Sequence, residues 1–107
     1  MDYSLKTTVV NSISSPKNIV ILCHGYGGDG NDISIVANYW KNFMPDTLFL
    51  CPNAPEICKV NPNGFQWFDL MDQTPEQILS KSFVAENKLN KLIDEVKEKY
   101  NLKANEI

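Results

Sequence analysis

The chain has 107 residues, 43% of them hydrophobic and 21% charged, a composition of globular proteins that excludes collagen-like or disordered chains. Ten lysines, no arginine and thirteen acids leave a net charge of −3, so neither a phosphate-tracking face nor a polybasic membrane surface is expected, and nucleic acid is not an expected partner. The longest apolar run, Ile19 to Cys23, falls far short of the roughly 20 residues that cross a bilayer, and Asp2 and Tyr3 after Met1 do not open a secretory signal.

Residues 5–10 contain Thr-Thr-Val-Val and read as a first strand, followed by a turn over residues 11–17. Residues 18–23 are a second strand whose Ile-Val-Ile-Leu centre is apolar on both faces, as in the interior of a largely parallel sheet covered by helices. Asn31 or Asp32 then serves as the N-cap of a helix over 32–43, in which Ile33, Val36, Ala37, Trp40 and Phe43 recur at spacings of three and four. Residues 47–51, Thr-Leu-Phe-Leu-Cys, form a third strand closed by Pro52 and Pro55. Strand, helix and strand in this order predict a right-handed βαβ unit.

An irregular stretch from Asn53 to Thr74 follows, carrying Trp67 and Phe68; loops of that length inside a domain usually have a function. A second helix is expected over 80–100, with Ala85, Leu89, Leu92, Ile93, Val96 and Tyr100 on its apolar face and a mixed-charge solvated face opposite. The alternation calls for a strand next, and Ile107 reads as its first residue. The chain is thus one α/β unit, or part of one, without linker or repeat.

Cys23, Cys51 and Cys58 match no paired-ligand spacing, so free thiols in a reducing cytoplasm are expected in place of a zinc site shared with His24. Cys23 and His24 are adjacent in a strand, where neighbouring side chains point to opposite faces, and cannot act as a thiolate–imidazole pair.

His24-Gly25-Tyr26-Gly27-Gly28-Asp29-Gly30 joins the buried strand to the first helix, and two functional readings of it compete. Gly25, Gly27 and Gly30 satisfy G-x-G-x-x-G, which would set a nucleotide's pyrophosphate on backbone amides and the helix N-terminus. Against this stand the negative charge of Asp29, the lack of an acid at the end of the next strand, and a histidine the motif does not use. The other reading is an oxyanion loop, in which glycines let the backbone turn tightly and present an amide to the charge of a tetrahedral intermediate. A purely structural reading, a tight strand-to-helix turn, explains the glycines but not His24.

Three blocks in order, His24-Gly25-Tyr26-Gly27-Gly28-Asp29-Gly30, Cys51-Pro52-Asn53-Ala54-Pro55 and Gln66-Trp67-Phe68-Asp69, resemble the phospholipase/carboxylesterase family that includes the acyl-protein thioesterases. The resemblance runs from about Leu5 to Ile107. It implies the N-terminal part of an α/β-hydrolase fold, a mostly parallel sheet with flanking helices, and hydrolysis of carboxylic esters or thioesters without metal or organic cofactor. It also implies that the backbone N–H of Tyr26 enters the oxyanion hole, that His24 and Gly25 shape that loop, and that Trp67 and Phe68 wall the acyl cleft. Core packing is an equal alternative for those two aromatics, and Asp69 is expected to brace a loop.

The mechanism that the resemblance implies needs a Gly-x-Ser-x-Gly nucleophile followed by an aspartate and a histidine. No such serine occurs here, and the one histidine, His24, already lies in the loop. The expectation is therefore a partial domain over 1–107, inactive alone, whose Ile19-to-Leu22 strand has an uncovered edge open to a complementary C-terminal fragment or to self-association. A nucleotide-binding module and a non-catalytic half-fold binding protein are the alternatives.

Overall fold

A computed structural model of the chain describes residues 3–107. Thr7–Val10 (β1), Asn18–Ile21 (β2) and Thr47–Pro52 (β3) form one sheet with β3 in the middle. β2 runs parallel to β3, Ile19 opposite Leu48 and Ile21 opposite Leu50, as the βαβ reading requires. β1 lies antiparallel along the other side of β3, Val10 opposite Phe49, so the sheet is mixed.

Every residue of β3 is buried. Its pleat sends Leu48 and Leu50 to one face and Phe49 and Cys51 to the other, and each pair nucleates a separate core. On the first face Leu5, Ile19, Leu48 and Leu50 meet Leu92 and Val96 of the helix Pro75–Tyr100 (α2). On the second, Val10, Phe49 and Cys51 meet Ala37 of the helix Gly30–Trp40 (α1), with Val20, Leu22 and Ile33 packed beside them. Burial on both faces is why β2 and β3 carry continuous apolar runs.

Both helices start earlier than the sequence suggested. Asp29 caps α1, its carboxylate accepting the Asp32 N–H at 2.7 Å, and the expected helical residues 41–43 instead tighten into a turn in which Phe43 N–H donates to the Trp40 carbonyl. α2 begins at Pro75, five residues before Ser80. Thr74 and Gln77 form a capping box, each side chain accepting the other's backbone N–H (Gln77 N to Thr74 Oγ1, 3.2 Å; Thr74 N to Gln77 Oε1, 2.8 Å).

The stretch expected to be irregular holds a small antiparallel hairpin, Glu56–Ile57 (β4) and Phe65–Gln66 (β5). At the other end, α2 is followed by a 3₁₀ turn over Ala104–Glu106, in which the Glu106 carboxylate folds back onto the Lys103 N–H at 2.8 Å, and Ile107 packs on the first core.

β3 is paired on both sides, and β1 and β2 are the two edge strands of the sheet. Among the described residues β2 pairs with β3 alone. Leu22 N–H continues that ladder to the Leu50 carbonyl at 2.9 Å, so strand alternation turns the Ile21 amide to the unpaired edge. α2, about 39 Å long at 1.5 Å per residue, runs most of the molecule's 43 Å length. Leu92 and Val96 are fully buried in its second half, whereas Leu79, Phe83 and Val84 in its first are more than half exposed. Among the described residues no helix is long and apolar enough to cross a membrane.

Candidate functional site

β2 delivers His24 to the C-terminal end of the sheet, where its side chain is buried with both ring nitrogens engaged. Ala54 N–H, just past β3, donates to Nε2 at 2.9 Å. An acceptor at Nε2 places the ring proton on Nδ1, which donates to the Gly25 carbonyl at 2.7 Å. Trp67 stacks on the ring with centroids 5.5 Å apart, and its indole N–H donates to the His24 carbonyl at 2.9 Å. The histidine that the glycines alone left unexplained thus joins the β2 end, the β3 end and the loop bearing Trp67.

Gly25 to Gly28 form a β-turn closed by Gly28 N–H to the Gly25 carbonyl at 3.1 Å. Gly27, at φ +85°, occupies the left-handed position that a type II turn demands and a side chain resists. The Gly25 carbonyl therefore accepts two hydrogen bonds, from the His24 ring and from Gly28. A trans peptide is planar, so fixing that carbonyl aims the Tyr26 N–H of the same peptide the opposite way. Among the described residues no acceptor engages the Tyr26 N–H, while Gly27 and Gly28 donate theirs at 2.9 and 3.1 Å.

The Tyr26 hydroxyl donates to Asp69 Oδ1 at 3.4 Å. Desolvation, then a hydrogen bond with Cys58, pushes this phenol above its ordinary value and keeps it a donor. Asp69 is held below the usual carboxylate range, first by the Met71 N–H at 2.9 Å and further by the Lys59 ammonium at 3.4 Å. It braces the loop between the hairpin and α2, as expected. Trp67 and Phe68 are the two aromatic rings that follow β5. Trp67 packs on the first core, and both rings line a cleft of about 120 Å³ with His24, Gly25, Tyr26 and Leu70. The same rings border a more open cleft of about 280 Å³ with Cys23, Ala85 and Leu89.

Two of the amides a pyrophosphate would meet at the start of α1 are already in use: Gly30 N–H donates to Asn53 Oδ1 at 2.7 Å and Asp32 N–H to the Asp29 carboxylate. The three thiols are free. Cys51 is buried, which pushes its thiol up to about 11, and desolvation raises Cys23 as well, so neither is a thiolate at neutral pH. Sequence reasoning missed Asn53, Asn61 and Gly64, all of which touch the turn. The signal for the last two was present, since Asn61-Pro62-Asn63-Gly64 is a string of turn formers that marks a hairpin.

A strand–helix–strand unit, helices on both faces of the sheet and a pinned glycine turn at a strand's C-terminal end define part of an α/β-hydrolase fold. The solved structure titled "Crystal structure of esterase PE8" matches with a TM-score of 0.85 and 31% sequence identity, over 95% of this chain and 49% of that one. A sequence model of the phospholipase/carboxylesterase family matches residues 5–107, and the chain belongs to that family. Acyl-protein thioesterase 1 of Schizosaccharomyces pombe is 33% identical over 73 residues, which are 65% of this chain and 32% of that protein. The chain thus spans about a third of the length of that relative and about half of the esterase.

Proposed function

We propose that the chain forms the oxyanion-loop part of a serine hydrolase acting on carboxylic esters or thioesters, and that by itself it does not turn substrate over. In this reading the backbone N–H of Tyr26 is the oxyanion donor, His24 and Gly25 set the turn that aims it, and Trp67 and Phe68 wall the acyl cleft. The observation that carries it is the doubly held Gly25 carbonyl, which supports an outward-facing Tyr26 amide without any ligand to induce it. One donor of this kind is worth roughly 3 kcal/mol once charge develops on the carbonyl oxygen.

Charge develops only if something attacks. No Gly-x-Ser-x-Gly elbow occurs in the 107 residues, and the sole imidazole has both nitrogens committed to the turn, so no base is free to activate a serine. The nucleophile, acid and base would come from a complementary C-terminal segment adding along the open edge of β2, with self-association the competing use of that edge. The reaction needs neither metal nor organic cofactor, and three free thiols fit a reducing, cytoplasmic setting.

The test is hydrolysis of a short-chain p-nitrophenyl ester by the purified chain. Neither burst nor steady turnover above buffer is expected. Turnover abolished by a serine-directed phosphonate would contradict the reading.

A further inference from the structure

Four carbonyls of the glycine turn and its approach, those of His24, Gly25, Gly27 and Gly28, can be followed to their partners, and two of them lead to the β4–β5 hairpin, which lies some 30 to 40 residues further along the chain. Phe65, in β5, brackets the turn with its own backbone: its carbonyl accepts Gly27 N–H at 2.9 Å and its N–H donates to the Gly28 carbonyl at 2.8 Å. Asn61, in the hairpin loop, donates its side-chain N–H to the Gly27 carbonyl at 2.8 Å. Gly64 brings the two backbones into direct contact. A Cβ built there would lie 2.0 Å from the Gly27 oxygen and 2.6 Å from its carbonyl carbon, so only glycine lets the hairpin come this close.

These contacts act on peptide planes. The Phe65 carbonyl fixes the Tyr26–Gly27 plane, the one whose flip converts a type II turn into type I. Asn61 holds the Gly27 carbonyl, which in a planar trans peptide aims Gly28 N–H the other way, toward the Gly25 carbonyl it reaches at 3.1 Å. That bond in turn helps hold the Gly25–Tyr26 plane and so the direction of the Tyr26 N–H. A side chain in the hairpin is thereby linked through two peptide planes to the one amide of the turn proposed to meet substrate.

We infer that the β4–β5 hairpin is the clamp of the oxyanion loop and that Asn61 is a positioning residue for the Tyr26 N–H. The inference rests on reading Tyr26 as the oxyanion donor, yet its structural content is measurable without turnover. Asn61 also accepts Gly64 N–H through its backbone carbonyl at 2.9 Å and Asn63 N–H through Oδ1 at 3.3 Å, so it shapes the hairpin turn as well. Asn61→Asp separates the two roles. It keeps the acceptors that shape the hairpin and replaces the donor facing the Gly27 carbonyl with a repelling oxygen.

The experiment is backbone-amide NMR with hydrogen exchange on the full chain, comparing wild type, Asn61→Ala and Asn61→Asp. Both variants are expected to speed exchange at Gly27 and Gly28 by about tenfold and to move the Tyr26 amide resonance, with Leu48 and Leu50 amides in β3 unchanged. If Asn61→Asp leaves Gly27, Gly28 and Tyr26 as in wild type, Asn61 only shapes the hairpin and the inference is overturned. The same holds if Asn61→Ala changes nothing in the turn. A failed esterase reading in the ester assay leaves these exchange results untouched, so the two failures are distinguishable.

Discussion

The glycine turn and the β2–α2 flank sit side by side at one end of the sheet and are built in opposite ways. In the turn, His24, Gly25, Gly27 and Gly28 have their carbonyls held by Trp67, His24, Asn61 and Phe65, all from within these 107 residues. On the flank, β2 has one unpaired edge, and Leu79, Phe83 and Val84 stand exposed on the adjoining half of α2. The loop needs nothing further to hold its shape, whereas the flank carries apolar surface that the described residues do not cover. If the turn is the oxyanion loop proposed above, a loop held in place beside an open sheet edge is the arrangement expected of one part of a hydrolase site.

The largest expected effect comes from forcing the turn and hairpin apart. Gly64→Ala places a methyl group into the Gly27 carbonyl, where backbone must give way, and should cost about 3 kcal/mol in urea unfolding, the upper end of typical overpacking penalties. His24→Ala strands the buried Ala54 N–H and removes the platform under Trp67; a loss of about 2 kcal/mol with a red-shifted Trp67 emission is expected. An unchanged midpoint in either variant would mean that the turn is not closed by these contacts.

Substitutions of similar size on the flank should behave differently. Leu79→Glu with Phe83→Glu is expected to shift stability by no more than about 0.5 kcal/mol while raising the solubility limit of the purified chain. A large destabilisation would show that these side chains are already buried in solution. The smallest effect concerns pH. Because Asp69 is held below its ordinary 3.8, its hydrogen bonds contribute above that value and are lost as the pH falls through the lower folded value. An acid titration should therefore loosen the Met71 amide only below about pH 4, leaving the Gly27 and Gly28 amides unchanged until later.

The contrast also separates what could be read in the sequence from what could not. β3 was legible because burial on both faces demands a continuous apolar run, and Leu48 to Cys51 supply one. The turn was legible because His24 preceded a glycine cluster at a strand end, although the histidine's job is set by the tertiary fold: Ala54 and Trp67 reach it from far along the chain. The start of α2 was recoverable, since Thr74-Pro75-Glu76-Gln77 is a capping box with proline in the first turn, but apolar periodicity set the boundary at the first core-facing residues instead. The direction of β1 was not legible, because strand content says nothing of partner or polarity. The hairpin escaped because two-residue strands carry no periodicity, and its role is carried by backbone groups and one asparagine side chain that no hydrophobic pattern reports.

Hydrogen exchange at single amides of the dilute, unliganded chain tests the comparison most directly. Gly27, Gly28, Ala54 and Phe65 amides are expected to exchange as slowly as Leu22, whose N–H is paired into the sheet, and Ile21, one residue away on the open edge, to exchange far faster. Rapid exchange throughout the glycine turn, or an Ile21 amide as protected as Leu22, would contradict the account of a closed loop beside an open flank.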